Sequence, residues 1–214
     1  MGVGSWELGV DVRLLVATTN ADKFREIETI LGEAPIQLFS LRDFPSVQEP
    51  DEIAPTFQEN ARLKAVYYGV RAGENLLTVA EDSGLVIDAL GGEPGVQSAR
   101  FLGADASHPE RFAEIYRRLG GASAGIRSAR FVCALAVASG DRVVFETTGV
   151  VEGRIADAPR GSTGFGYDPI FYFPPYGRTL AEVSREEKLR VAHRGHAFRR
   201  LANWLSQETK NGER

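Results

Sequence analysis

The sequence has almost no cysteine, no long apolar run and no excess of positive charge. Its only cysteine, Cys133, cannot form an internal disulfide, which favours a reducing compartment and therefore a cytoplasmic location. No apolar run approaches the length of a membrane-spanning helix, which is about 20 residues. The first residues lack the basic and apolar regions of a secretory signal. The formal net charge of −4 disfavours a broad nucleic-acid-binding surface. We therefore expect neither a nucleic-acid nor a membrane partner.

Internal repeats, long linkers and a G-x-G-x-x-G motif after the first strand are also missing. The last absence argues against a dinucleotide-binding oxidoreductase. With 214 residues, 43% of them hydrophobic and 25% charged, the chain has the composition of a globular protein that can bury a real core. We expect an irregular leader over residues 1–11 and a single domain over residues 12–210.

Alternating strand and helix patterns predict an α/β fold. The apolar run Val12 to Ala17 is typical of a strand buried on both faces, and the helical spacing over residues 21–31 follows it directly. A capping box at Thr56 to Glu59 opens another predicted helix, which ends near Ala72. Farther along, residues 129–138 and 142–152 are predicted to form two long antiparallel strands joined by a short turn.

The polar turn between the first strand and the first helix is a candidate anion site. Thr18, Thr19 and Asn20 can cap the helix, and free backbone N–H groups converge where a helix begins. Lys23 lies in the first turn, where a cation opposes the helix dipole. A capped helix without a ligand would explain the three polar residues, but the lysine favours phosphate binding.

A second polar stretch, Glu81-Asp82-Ser83-Gly84, separates two short apolar runs. The pattern is typical of a hairpin with its acids in the turn. It could be an ordinary turn, since Asp, Ser and Gly are favoured there. Carboxylates at a strand end could also bind a divalent ion or act as a general base. Acids at positions 49, 51 and 52 would join them only if the fold brings that loop opposite Asp82.

The aromatic and glycine-rich stretch GFGYDPIF is a candidate base pocket. Phe165 and Tyr167 could stack on a purine, and Gly166 would let the backbone approach closely. The stretch could instead be an aromatic core loop. An acid flanked by aromatic residues needs a partner, so Asp168 favours the pocket.

Five stretches, in this order, resemble the inosine triphosphate pyrophosphatase family. They are TTNADK (18–23), the acid loop ending at Glu52, AEDSGL (80–85), GFGYDPIF (164–171) and REEK…HRGHA (185–197). The resemblance covers about residues 12 to 205. It implies a long, mixed, twisted sheet flanked by helices, arranged in two lobes around a central nucleotide cleft. It also implies a homodimer that hydrolyses non-canonical purine nucleoside triphosphates.

The resemblance also implies roles for particular residues. Asp82 would accept the proton and bind Mg²⁺ together with Glu52, although Glu49 or Asp51 could replace Glu52 because the loop varies in length. The remaining residues implied to bind substrate are Thr18, Thr19, Asn20, Lys23, Ser83, Phe165, Gly166, Tyr167, Asp168, Lys188, His193 and Arg194. Relatives commonly have serine where this chain has Ala192.

The implied chemistry is physically reasonable. A triphosphate carries about four negative charges, which a hard cation such as Mg²⁺ held by carboxylates can offset. Arg194 offers only donors, so it would bond the C6 oxygen of inosine and reject the C6 amine of adenine. Two other functions stay open: a Maf-type pyrimidine nucleotide pyrophosphatase and a nucleotide-binding regulator without catalysis. Asp82, Lys23 and Lys188 argue against the regulator.

Overall fold

We describe a computed structural model over residues 12–212, without residues 33, 45–47, 74 and 121–125, and without the side chains from 208 onward. The expected leader, residues 1–11, lies outside the described part. The strands of one sheet are β1 Val12–Val16, β2 Ile36–Ser40, β3 Leu77–Ile87, β4 Ser128–Ser139, β5 Arg142–Ile155, β6 Phe171–Phe173 and β7 Arg178–Thr179. The α-helices of the described residues are α1 Ala21–Leu31, α2 Phe57–Ala72, α3 His108–Leu119, α4 Arg185–Val191 and α5 His193–Gly212.

The sheet is mixed, with the spatial order β2-β1-β3-β4-β5-β6-β7. Strand β1 runs parallel to both β2 and β3, whereas the pairs from β3 to β7 are antiparallel. The predicted α/β class with a long mixed sheet is therefore confirmed. None of the helices in the described part of the chain is both long and apolar enough to cross a membrane.

The predicted hairpin around Asp82 is wrong. Residues 77–87 form one continuous strand, which pairs with β4 from Thr78 to Ile87. The polar stretch was mistaken for a turn because its Asp-Ser-Gly composition is favoured in turns. The long partner strand β4 overrides that local preference, since each residue of the stretch has a partner in the ladder, as Asp82 does with Ala134.

The unequal lengths of β1 and β3 create an opening in the sheet. Val16, the last residue of β1, pairs with Val79, and the N–H of Ala17 still donates to the Val79 carbonyl at 2.8 Å. Beyond that point β1 turns away, while β3 continues to Ile87. The turn at residues 18–20 therefore lies beside the exposed edge of β3, near Glu81, Asp82 and Ser83.

Both faces of the sheet are covered, by different helices. On one face α1 and α5 enclose a core that includes Val16, Val79, Cys133 and Phe198. On the other face α2 packs on those residues of β1, β3 and β4 whose side chains point to the opposite side of the sheet. Farther along the sheet, α3 helps to enclose a third core between its own apolar face and residues of β3 to β6. Cys133 is fully buried.

Helix α5 approaches the sheet very closely at its N-terminus. A Cβ atom on Gly149 of β5 would lie 2.0 Å from the His193 carbonyl oxygen and 2.7 Å from the Ala197 nitrogen. The helix begins at His193, directly after α4 ends and Ala192 adopts an extended conformation. His193 and Arg194 therefore belong to the first turn of α5.

We expect Gly149→Ala to destabilise the fold, because α5 would have to move away from β5. Overpacking of a tight core costs about 1–3 kcal/mol or more, so the urea midpoint should fall clearly. Val150→Ala is the matched control, since Val150 is the next residue of β5 and is 38% exposed. Equal midpoints for the two variants in urea unfolding followed by circular dichroism would contradict the close approach.

Candidate active site

The turn after β1 is shaped by its own polar side chains. The side-chain oxygen Oδ1 of Asn20 accepts from the N–H groups of Asp22 at 2.9 Å and Lys23 at 3.0 Å, so Asn20 caps α1. The Thr18 hydroxyl accepts from the Asn20 N–H at 3.2 Å. As predicted, a helix N-terminus follows the first strand through a polar turn, a geometry that favours an anion.

Glu81 and Asp82 point to opposite faces of the sheet, because successive side chains of a strand alternate. The Glu81 carboxylate meets Arg194 of α5 and Lys23 of α1. The Asp82 carboxylate faces α2, where Asn60 Nδ2 donates to it at 2.9 Å. The two neighbouring acids therefore occupy separate environments, and each can have its own role.

On the Glu81 side, six side chains form a buried chain of alternating charge. The members of this charge chain are, in spatial order, Asp168, Lys188, Glu26, Arg194, Glu81 and Lys23. Five of the six are at most 5% exposed as residues, the exception being Lys23 at one end. Because positive and negative members are equal in number, the chain is electrically balanced.

Arg194 is the centre of the charge chain. Its Nη1 lies 2.5 Å from Glu26 Oε2, and its Nη2 contacts Glu81 Oε1 at 3.2 Å and the Ser83 hydroxyl at 3.1 Å. Its terminal nitrogens are thus engaged by the protein. The expectation that Arg194 bonds the C6 oxygen of the base stays a prediction. Only Nε lacks a partner among the described residues.

The charge chain controls the ionisation of its members. Burial alone would raise the pKa of Glu81, but the charges of Arg194 and Lys23 hold that pKa well below its usual value. Burial would lower the pKa of Lys188, but Asp168 and Glu26 raise it. Glu81 and Lys188 are therefore charged at neutral pH.

His193 makes no ion pair with any of the described carboxylates. Burial, reinforced by the positive charge of Arg194, lowers the pKa of His193 to well below its usual value. The ring stacks on Phe131 with 4.9 Å between centroids, and Nδ1 is buried without a hydrogen-bond partner among the described residues. A neutral imidazole with an unused nitrogen lies at the wall of the cleft.

On the opposite face, Asp82 shares a cation with Glu52. The Lys64 ammonium contacts Glu52 directly and lies 4.0 Å from Asp82 Oδ1. Burial raises the pKa of Asp82; Lys64 and Asn60 oppose this increase, whereas the charge of Glu52 adds to it. Asp82 therefore holds a proton more readily than an ordinary aspartate.

Of the three acids left open by the sequence, Glu52 is the one that lies with Asp82. Arg100 holds it from the other side, through the Glu52 carbonyl oxygen and through an ion pair at 3.6 Å. Glu49 and Asp51 are exposed. The described residues contain no group of three or more potential metal ligands. A pair of carboxylates around a cation position still suits Mg²⁺, which takes one or two carboxylates and fills its shell with phosphate oxygens and water.

Phe165 and Tyr167 of the aromatic stretch lie in different environments. Tyr167 is 5% exposed, packs in the core and donates its hydroxyl to the Ser98 carbonyl at 2.8 Å. Phe165 is partly exposed, and its ring lies 4.6 Å from the Lys188 ammonium. Phe165 therefore offers a ring face to a ligand, whereas Tyr167 positions the wall. Asp168 has the partner that its setting required, the Lys188 ammonium at 2.5 Å.

A cleft of about 230 Å³ brings most of the predicted binding residues together. Those lining it are Asn20, Lys23, Ser83, Phe165, Gly166, Tyr167, Asp168, Lys188, His193 and Arg194. Thr18 and Thr19 line a larger cavity of about 670 Å³ beside the same turn, which has arginines but no carboxylate in its wall. Asp82 and Glu52 line neither cavity and lie on the α2 side of β3.

Several site residues were missed in the sequence. Asn60 and Lys64 are four residues apart in the predicted helix α2, and this spacing could have placed both on the face toward Asp82. Glu26 gave no such signal, because its partners Lys188 and Arg194 are distant in sequence. Arg111, a buried cation in the wall of the cleft, looked like one more charged residue of an amphipathic helix.

The chain is thus an α/β protein in which a helix N-terminus lies beside a strand that carries two acids with separate cation partners, a geometry that favours an anionic ligand. Residues 14–204 match the sequence model of the Ham1 family. The chain belongs to that family. The resemblance found in the five motifs is thereby confirmed.

Relatives and solved structures agree with this assignment. The dITP/XTP pyrophosphatase of Geobacillus kaustophilus is 44% identical over 188 residues, which cover 88% of this chain and 91% of the relative. The structure of a HAM1 protein from Coxiella burnetii superposes with a TM-score of 0.83 at 37% identity, covering 92% of this chain and 99% of that one. The Ham1 protein of Staphylococcus aureus gives a TM-score of 0.81 at 33% identity, with the same coverage of both chains.

We expect Arg194→Met to destabilise the protein strongly. Methionine keeps much of the volume but leaves Glu26 and Glu81 buried without their common partner, and breaking a buried pair on one side costs about 3–5 kcal/mol. Arg117→Met on α3 is the control, because it breaks only an exposed pair with Glu114 and should change stability little. If Arg194→Met had the same urea midpoint as the wild type at pH 7, the charge chain would not be important for stability.

Proposed function

We propose that this protein hydrolyses the non-canonical purine nucleoside triphosphates ITP, dITP and XTP to the monophosphate and pyrophosphate, with Mg²⁺. The observation that carries the proposal is the pair Asp82 and Glu52 around one cation position, beside the turn that opens α1. The printed name of the relative from Geobacillus kaustophilus supports the same activity. This reaction would remove such nucleotides from the cellular pool.

The substrate would cross the edge of β3. Its base would occupy the cleft with the charge chain, and its phosphates would pass the turn at residues 18–20 toward Asp82 on the other face. Lys23 and Lys64 stand at the two ends of this path, paired with Glu81 and Glu52. Both ammonium groups could therefore offset phosphate charge without a large rearrangement.

Asp82 and Glu52 are the residues that would hold Mg²⁺. The ion supplies charge neutralisation on the phosphates and lowers the pKa of a bound water. Asp82 would accept the proton of the attacking water, and its raised pKa suits that task because a general base works best near the operating pH. Asn60 keeps the Asp82 carboxylate oriented.

Base recognition would rest on one aromatic face and on buried polar atoms. Phe165 would stack on the purine, which is worth about 1–3 kcal/mol by analogy with single-strand binding. The unpartnered His193 Nδ1 and Arg194 Nε are available as partners for the C6 oxygen. A site with buried polar atoms left unpaired rejects an analogue that cannot bond them by up to about 10⁴-fold.

Other expectations from the sequence and from the resemblance stay predictions. These are a two-lobed domain over residues 12–210, a homodimer, a cytoplasmic location, and the absence of nucleic-acid and membrane partners. The single buried Cys133 is compatible with a reducing compartment.

We expect Asp82→Asn to lower kcat for ITP by at least about 100-fold, because the amide can neither take a proton nor act as an anionic ligand. Pyrophosphate release at saturating Mg²⁺ is the measurement. Asp88→Asn is the control, since Asp88 follows β3 and makes an exposed pair with Arg130. Turnover of Asp82→Asn close to that of the control would exclude Asp82 as the base.

The substrate class is tested with a panel of triphosphates, with Mg²⁺ and with EDTA. We expect rapid pyrophosphate release from ITP, dITP and XTP, little from GTP, negligible release from ATP, and none with EDTA. ATP hydrolysis as fast as that of ITP would refute the proposed substrate class. Faster hydrolysis of UTP or dTTP would favour the Maf-type activity, and binding without any turnover would favour the regulator.

A further inference from the structure

Arg111 is a buried cation that has no anionic partner among the described residues. It belongs to the second turn of α3 and is 5% exposed. Its Nε donates to the Phe101 carbonyl at 2.9 Å, and its Nη2 donates to the Gly103 carbonyl at 3.2 Å. No ion pair and no hydrogen bond from Nη1 is found for it in the described part of the chain, although its side chain lines the 230 Å³ cleft.

This placement is costly for a structural residue. A charge removed from water needs a partner of opposite charge or a full set of hydrogen bonds. A cation near the start of a helix is also opposed by the helix dipole. The other buried cations of the cleft, Lys188 and Arg194, each contact two carboxylates. Arg111 alone among these three contacts only neutral carbonyls, so it is poised for an acceptor from outside the chain.

Arg111 lines the cleft from a different part of the fold than the charge chain. Lys188, His193 and Arg194 come from α4 and α5. Ser98, Ala99, His108 and Arg111 come from the segment before α3 and from the start of that helix. Burial and the charge of Arg111 lower the pKa of His108, so the neighbouring imidazole is neutral and does not compete as a cation.

A purine has two polar edges, and the cleft offers polar residues from these two groups. If His193 and Arg194 meet the C6 and N7 edge, the group with Arg111 is the one left for the C2 and N3 edge. Xanthine carries an acceptor oxygen at C2, hypoxanthine only a hydrogen, and guanine an amino group that donates. Arg111 can only donate, so it would bond the first, tolerate the second and clash electrostatically with the third.

We propose that Arg111 is a specificity-determining residue that bonds the C2 oxygen of xanthine nucleotides and disfavours guanine nucleotides at the same position. The inference rests on the proposed function, because it assumes that a purine base occupies the cleft. It also supplies the feature needed to exclude GTP, which shares its C6 oxygen with ITP.

The test compares kcat/KM for XTP, ITP and GTP in the wild type, Arg111→Gln and Arg111→Lys. Loss of a hydrogen bond to a charged group should lower the XTP-to-ITP ratio about 10- to 100-fold in Arg111→Gln, and the GTP-to-ITP ratio should rise. Lysine keeps the charge without the planar fork, so Arg111→Lys should give an intermediate ratio. Arg117→Gln, an exposed arginine on the same helix, should leave both ratios unchanged.

Ratios within one variant separate recognition from folding, because a general loss of structure lowers all substrates together. An unchanged XTP-to-ITP ratio, or an equal loss for all three substrates, would overturn the inference. A second measurement uses the wild-type protein alone and compares its affinities for monophosphates. XMP should bind more tightly than IMP, and IMP more tightly than GMP. GMP binding as tight as that of XMP would also overturn it. Rapid ATP hydrolysis by the wild type is a different result, since it defeats the proposed substrate class itself.

Discussion

The charge chain is the interaction on which the rest of the site depends. Its six members come from α1, β3, α4, α5 and the loop that carries Asp168. Burial would make each charge unfavourable alone, and only the alternation of sign makes the set acceptable. The helices on this face are therefore fixed relative to β3 by charge as well as by apolar packing. A ligand meets Glu81, Lys188 and Arg194 already charged and oriented, which reduces the reorganisation needed on binding.

Because side chains alternate along β3, the residues proposed for hydrolysis and those proposed for base recognition lie on opposite faces of the strand. Glu81 and Ser83 belong to the face where the base would bind, whereas Asp82 faces α2 and Glu52. The early end of β1 exposes the strand edge between them and places a helix N-terminus there. One strand and one short turn thus hold the residues proposed for base binding and those proposed for hydrolysis, without a separate domain for each.

Local patterns in the sequence predicted much of the fold, but not the pairing that defines the site. The capping box at Thr56 and the apolar run at Val12 are short-range signals, and the helix and the strand lie where they indicated. The turn-like composition at Asp82 failed because β4, about 50 residues away, determines the backbone there. The contacts of Glu26 were unpredictable for the same reason, since its partners follow more than 160 residues later. Resemblance placed Lys188 and Arg194 near the nucleotide, but not the acids that hold them.

The central strand β3 has a further consequence for folding fidelity. A slip of one residue against β4 would exchange Glu81 and Asp82 between the two faces, because the side-chain period is two. The misfolded molecule would turn a carboxylate of the wrong length toward each partner set, and Lys64 would meet Glu81 instead of Asp82. Such an error would remove both halves of the site at once. The long antiparallel ladder from Thr78 to Ile87 therefore fixes both halves of the site together. A shifted register should give an inactive protein rather than an enzyme of relaxed selectivity.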